Sequence, residues 1–167
     1  MDASPCKKYA IGVTLAAAVV FVAAFMPWGK INGNTDFLPV FWDDSAFGGI
    51  PFQNMTVTLT MTGWNGNINL GGLVLVNWLV VLAAAGVTSL AWLKTFSAWD
   101  APKVVPVALA AYGLFHAGFA FVMLMSSSKS SAGAGSFLTA VAFAGILVIL
   151  IRQVRGSRQR SASELQP

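Results

Sequence analysis

The chain is poor in the residue types that chemistry at a protein site draws on. Among 167 residues there is one cysteine, one histidine, two tyrosines and 6 acidic side chains. With Cys6 alone, no intrachain disulfide is possible, so any folded part outside a membrane must hold by packing and hydrogen bonds. Cys6 lies ahead of the first apolar run rather than after one, which excludes a lipoprotein anchor. Its juxtamembrane position is of the kind palmitoylation uses, though an idle reduced thiol is the simpler reading. Charged residues make up 10% of the chain, against about 25% in soluble domains. There is no nucleophile–base constellation, no glycine-rich phosphate loop and no metal-ligand cluster, so the expectation is a protein that is not an enzyme. The net charge of +4 comes without aromatic interleaving or a recognisable binding module, which gives no reason to invoke nucleic acid.

What is abundant is hydrophobicity, at 56%. Four apolar runs stand out: Tyr9 to Trp28, about Leu70 to Trp92, about Val104 to Met125, and about Ala134 to Ile151. Each is near the ~20 residues needed to cross the hydrocarbon. Backbone groups in lipid must be bonded internally, so these runs are expected to be helices. Small residues recur in all four, as Ala110, Gly113, Ala117 and Gly118 do in the third, and they allow helices to approach closely. Pro27 closes the first run, with Trp28 expected at the outer interface. Asn77, near the outer end of the second, is placed to bond across to a neighbouring helix.

Of the 10 Lys and Arg residues, all but Lys30 and Lys129 fall on one side of a four-span layout. The positive-inside rule then puts both termini in the cytoplasm and the long first loop outside, in a plasma (inner) membrane protein. A basic tail, Arg152 to Arg160, reads as an inside anchor that touches anionic head groups. Residues 1–155 form the expected single domain, and polar residues 156–167 are expected to be disordered. The serine-, glycine- and alanine-rich stretch from Ser126 to Gly135 reads as a flexible connector.

The long loop from Trp28 to Leu70 carries the one clear strand. Met55, Val57, Leu59 and Met61 alternate with Thr56, Thr58, Thr60 and Thr62, the period-2 pattern of a half-buried strand. Partners are sought in Ile31 to Asn32 or Phe37 to Trp42 on one side and Asn67 to Leu70 on the other. Gly33-Asn34, Gly48-Gly49 and Asn65-Gly66 offer turn chemistry, and Gly71-Gly72 marks the passage from sheet to helix. The fold class expected is an all-α membrane protein: a four-transmembrane-helix bundle with a small antiparallel β-sheet in the first extracytoplasmic loop.

Candidate sites are few. Phe37, Phe41, Trp42, Phe47, Phe52 and Trp64 crowd the loop, either as its small core resting on the bilayer interface or as a partner-binding surface. His116 is the one ionisable residue deep in a span, and such a residue is a functional hypothesis by default. With Gly113 and Gly118 nearby it could hold a haem or chlorin; its bland role is a structural hydrogen bond to Tyr112, Ser126 or Asn77. Asp36, Asp43 and Asp44 match no calcium-loop spacing and read as solvated acids. Asn54-Met55-Thr56 fits the glycosylation acceptor pattern.

Pro27-Trp28 after the first span and Gly63-Trp64 in a strand-bearing first loop resemble the claudin layout, although the paired loop cysteines of that family are absent. The chain is similar, too, to small bacterial four-span proteins with Pro-Trp after the first helix. The resemblance implies four spans with a folded outer loop. The functional expectation is a non-enzymatic accessory or scaffold subunit contacting other membrane proteins, or itself, through its helices and aromatic loop. A cofactor- or lipid-binding protein using His116 is the alternative. A small transporter or channel comes third, since the spans offer few polar residues to line a path.

Overall fold

The computed structural model describes residues 5–34, 56–70, 73–96, 102–126, 128 and 130–163. Four helices dominate: α1 (Pro5–Phe25), α2 (Trp78–Phe96), α3 (Val104–Ser126) and α4 (Ala134–Ser163). All four contain a stretch long and apolar enough to cross a membrane, namely Cys6–Phe25, Trp78–Phe96, Val104–Ser126 and Ala134–Arg155. They pack in a ring, α1 on α2, α2 on α3, α3 on α4 and α4 on α1. The seam is built from small residues: Ala10, Ala23, Ala83, Ala84, Ala110 and Ala117 are buried, with Val13, Val20, Val87, Phe143 and Ile146 filling between them. Large apolar side chains such as Leu15, Leu82, Phe115, Val122 and Val148 point outward instead. That inside-out distribution suits a lipid surround, since a soluble protein rarely exposes so much contiguous apolar surface.

Gly113 shows why these positions must be small. A Cβ placed there would run into the far end of the Phe143 ring of α4, so the tip of the ring takes the place a side chain would fill. The space beside Gly113 that the sequence offered to a flat ligand is therefore filled by the protein itself. Gly118, by contrast, faces no neighbouring atom within 4 Å. In the half of the bundle that holds Pro5 and Phe96, the Trp92 indole donates to the Thr14 hydroxyl at 2.9 Å, and that hydroxyl donates to the Ala10 carbonyl. Trp92 thus joins α2 to α1.

Among the described residues, five strands lie at the other end of the bundle. A three-stranded antiparallel sheet has the order β2-β1-β5, with β1 Pro27–Asn34 between β2 Thr56–Thr62 and β5 Ser130–Ala132. A separate hairpin pairs β3 (Asn67–Leu70) with β4 (Leu73–Val76). The threonine-rich strand and its Ile31–Asn32 partner agree with the sequence reading.

Other details differ. Gly33 and Asn34 are paired strand residues rather than a turn, while Asn65-Gly66 does turn, with Gly66 at φ +90. Asn67–Leu70 pairs with β4 and not with β2. The second helix consequently begins at Trp78 rather than near Leu70, because a short apolar run does not distinguish strand from helix by periodicity. The Ser126 to Gly135 connector supplies a strand. Helix α4 continues to Ser163, into the stretch expected to be disordered, whose residues 164–167 lie outside the described residues; residues such as Arg, Gln, Ala and Ser permit helix once a long span has nucleated it. Residues Phe37, Phe41, Trp42, Phe47, Phe52, Asn54 and the three loop aspartates lie outside the described residues, as do Gly71-Gly72 and Asp100.

The glycine–aromatic contact gives a direct test of the packing. Gly113→Ala should lower the melting temperature in detergent, with a cost of about 1–3 kcal/mol for overpacking. Adding Phe143→Leu should recover part of that loss, whereas a Gly113→Ala protein as stable as the parent would contradict the contact.

Candidate functional site

Among the described residues, the fully buried polar side chains gather toward the sheet end, and the chain's need to satisfy backbone carbonyls explains much of it. A helix end leaves its last carbonyls without intrahelical partners. At the end of α1, Ala23 O accepts from Met26 N and from the Trp28 indole, both at 3.2 Å, and Ala24 O accepts from Gly63 N at 2.9 Å. At the end of α3, the Ser126 hydroxyl donates to Met123 O and the Ser130 hydroxyl to Leu124 O. The serine-rich connector is therefore a cap.

Trp28 occupies the centre. Pro27 pairs with Thr62 and Gly29 with Met61, so Trp28 is an extra residue in β1, a bulge. Bulges re-aim side chains, and this one turns the indole into the bundle, where it is 1% exposed. The sequence had placed Trp28 at the outer interface; the one-residue bulge reverses its direction. A Cβ on Gly135 would lie 2.6 Å from the Trp28 Cδ1, so the start of α4 must pass the indole as bare backbone. The Trp28 carbonyl accepts from Gly133 N at 2.7 Å and from the Ser136 hydroxyl at 3.1 Å.

Against the indole edge, at a centroid separation of 6.1 Å, lies His116. His116, Asn77, Ser136 and Thr139 are all fully buried. Thr139 donates to Gly135 O. Asn77 stands just before α2, the position where its side chain would ordinarily cap the helix. It reaches outward instead. Its Nδ2 donates to Thr62 O at 2.9 Å and to Asn65 O at 3.0 Å, holding the turn after β2.

These two carbonyls fix the amide orientation, because only the nitrogen can donate to them. Oδ1 is then the atom 3.1 Å from His116 Nε2, so Nε2 carries the hydrogen and donates. His116 Nδ1 is left as an acceptor, met by the Tyr112 hydroxyl at 3.2 Å. One directed chain of hydrogen bonds thus runs from Tyr112 through His116 and Asn77 to the β2–β3 turn. Among the described residues, no buried side-chain nitrogen or oxygen lacks a partner.

Of the sequence candidates, His116 is brought together with two of its three suggested partners, Tyr112 and Asn77, while Ser126 bonds elsewhere. Both imidazole nitrogens are occupied, so a haem iron would have to displace Tyr112 or Asn77 to reach one. Among the described residues no three His, Cys, Asp or Glu side chains come together. Trp64 is half-exposed and rests against Phe21 and Phe25 of α1, at 5.9 and 5.6 Å between ring centroids. Trp28, Ser136 and Thr139 were missed as site residues. A buried role for Trp28 depends on the bulge, and Ser136 and Thr139 gave no signal beyond their place in a polar-flanked helix start.

Comparison with protein-family models, with curated proteins and with solved structures finds no match for this chain.

The network ranks its own members. Asn77→Leu strips three side-chain hydrogen bonds, leaves a buried imidazole N–H unpaired at about 1–3 kcal/mol, and takes the donor from the carbonyls of Thr62 and Asn65. Tyr112→Phe removes one hydroxyl, for about 0.6–2 kcal/mol. Chemical unfolding in detergent should find Asn77→Leu clearly the more damaging; equal or inverted losses would overturn the assignment.

Proposed function

We propose that the chain is a non-enzymatic, multi-pass protein of the plasma (inner) membrane with both termini in the cytoplasm. In this reading it works as an accessory or scaffold subunit that contacts other membrane proteins, or further copies of itself, laterally. One observation carries it: among the described residues, the buried polar side chains are bonded within the chain, to each other or to backbone carbonyls. A polar group so engaged neither lines an aqueous path nor presents a free nucleophile or ligand. What the bundle offers to its surroundings is an apolar outer surface and a braced extramembrane cap.

The aromatic cluster Phe21, Phe25 and Trp64 supports the view that the outer end also makes contacts, because aromatic rings concentrate at membrane interfaces and at binding surfaces. The proposed partner-binding residues Phe37, Phe41, Trp42, Phe47 and Phe52 belong to the same loop. His116 enters as a structural residue, the middle member of the brace. The orientation is supported by the basic residues, since Lys7, Lys8, Lys94, Lys103, Arg152 and Arg155 all stand at the helix ends opposite the sheet.

Cys6, exposed in the first turn of α1, is a ready reporter of sidedness. A membrane-impermeant maleimide should label it in inside-out vesicles and not in intact cells. Thr60→Cys in a Cys6→Ser background should show the reverse pattern, and labelling of Cys6 from outside would refute the orientation. For the scaffold role, extraction from the native membrane in mild detergent should yield a complex, with a partner or with itself. A monodisperse monomer that retains no other protein would count against it.

A further inference from the structure

We propose that the seam between α1 and α4, at the end of the bundle away from the sheet, binds the headgroup of an anionic phospholipid. The inference rests on the membrane-spanning reading above and adds a ligand to it. Gly12 and Ile149 fix the relative height of the two helices, since a Cβ on Gly12 would lie 3.4 Å from the Ile149 side chain. By helix spacing, Lys8 lies one turn from Gly12 on α1 and Arg152 about one turn from Ile149 on α4, at the same end, with Lys7 and Arg155 next to them along the chain. All four side chains are exposed. Lys94 and Lys103 complete the basic rim from the ends of α2 and α3. Among the described residues this end holds no carboxylate; the sequence adds Asp2, Asp100 and Glu164 against Arg158 and Arg160.

The occupant is argued from what lies just beneath the cations. Ile11 and Leu15 of α1 and Val148 and Ile151 of α4 are exposed apolar side chains on the same two helices. A basic rim above an apolar flank matches a molecule with an anionic head and hydrocarbon tails. A soluble phosphate would use only the rim. Moreover, α4 runs on as helix to Ser163, well past the apolar stretch that ends at Arg155, so the basic segment leaves the bilayer as a defined element. Each basic residue beside an anionic leaflet is worth about a fivefold preference, and screening by salt weakens it.

The test uses the full chain in a neutral detergent, titrated with phosphatidylglycerol or phosphatidylcholine of identical acyl chains and read by native mass spectrometry. Phosphatidylglycerol should be retained at least about fivefold better, with the margin shrinking in high salt. The Arg152→Gln/Arg155→Gln variant should cut the preference several-fold, while Lys30→Gln at the sheet end should leave it intact. Equal retention by the parent protein overturns the proposal, as does a preference unchanged by the double change or one that falls equally with Lys30→Gln. Full competition by inorganic phosphate would assign the site to free phosphate and overturn the lipid. If the double variant fails to fold, the salt dependence of the parent protein decides. Equal retention would leave the Cys6 orientation standing, and a reversed orientation would leave a measured lipid preference standing.

Discussion

Carbonyls at the end of a helix have to find donors, and in this protein nearly every feature of the sheet end follows from that requirement. The chain supplies the donors itself. The indole of Trp28 and the amide of Gly63 close α1, serine hydroxyls close α3, and Gly133 and Ser136 converge on the Trp28 carbonyl. Because these donors sit on β1, on the turn after β2 and at the start of α4, capping the helices also assembles the sheet over them. Asn77 and His116 extend the arrangement across the ring from α2 to α3.

Energetically the design is one-sided. Each bond adds modestly to stability, because interhelical hydrogen bonds in membrane proteins average about 0.6 kcal/mol. Leaving one unmade is more expensive, since a buried donor or acceptor then bears its desolvation cost alone. The network therefore acts mainly to exclude alternatives. A loop that slipped by one residue would lose the bulge at Trp28, turn the indole outward and strand the Ala23 and Gly133 groups together. The lower half of the bundle has no comparable network among the described residues; there, small side chains, the Gly113–Phe143 contact and the Trp92–Thr14 bond hold the helices. The molecule is thus braced at the sheet end and packed through small residues at the other.

How much of this the sequence discloses depends on the range of the interaction. The four apolar runs were legible because hydropathy is a local sum, and the threonine strand because its period-2 alternation is unbroken. Asn77 and Tyr112 could be named beside His116 because polar residues are rare in such spans and must find each other. The strand at Ser130–Ala132 was not legible: three residues with no apolar alternation pair only because β1 passes beside them. Leu73–Val76 misled for a related reason, its continuous apolar character fitting the start of a helix as well as a strand. Trp28 was read in the wrong direction, since a single inserted residue, visible only in the pairing register, decides which way its side chain points.

The account stands or falls on whether the cap and the bundle are one structure. Amide hydrogen exchange at Gly63 measures this most directly, because its N–H donates across the junction, from the turn after β2 to the Ala24 carbonyl of α1. This amide should exchange as slowly as those in the interior of the helices and should quicken when Asn77 is replaced by Leu. Exchange at the rate of an open loop, with the helices still protected, would show the cap to be merely tethered and would contradict the account.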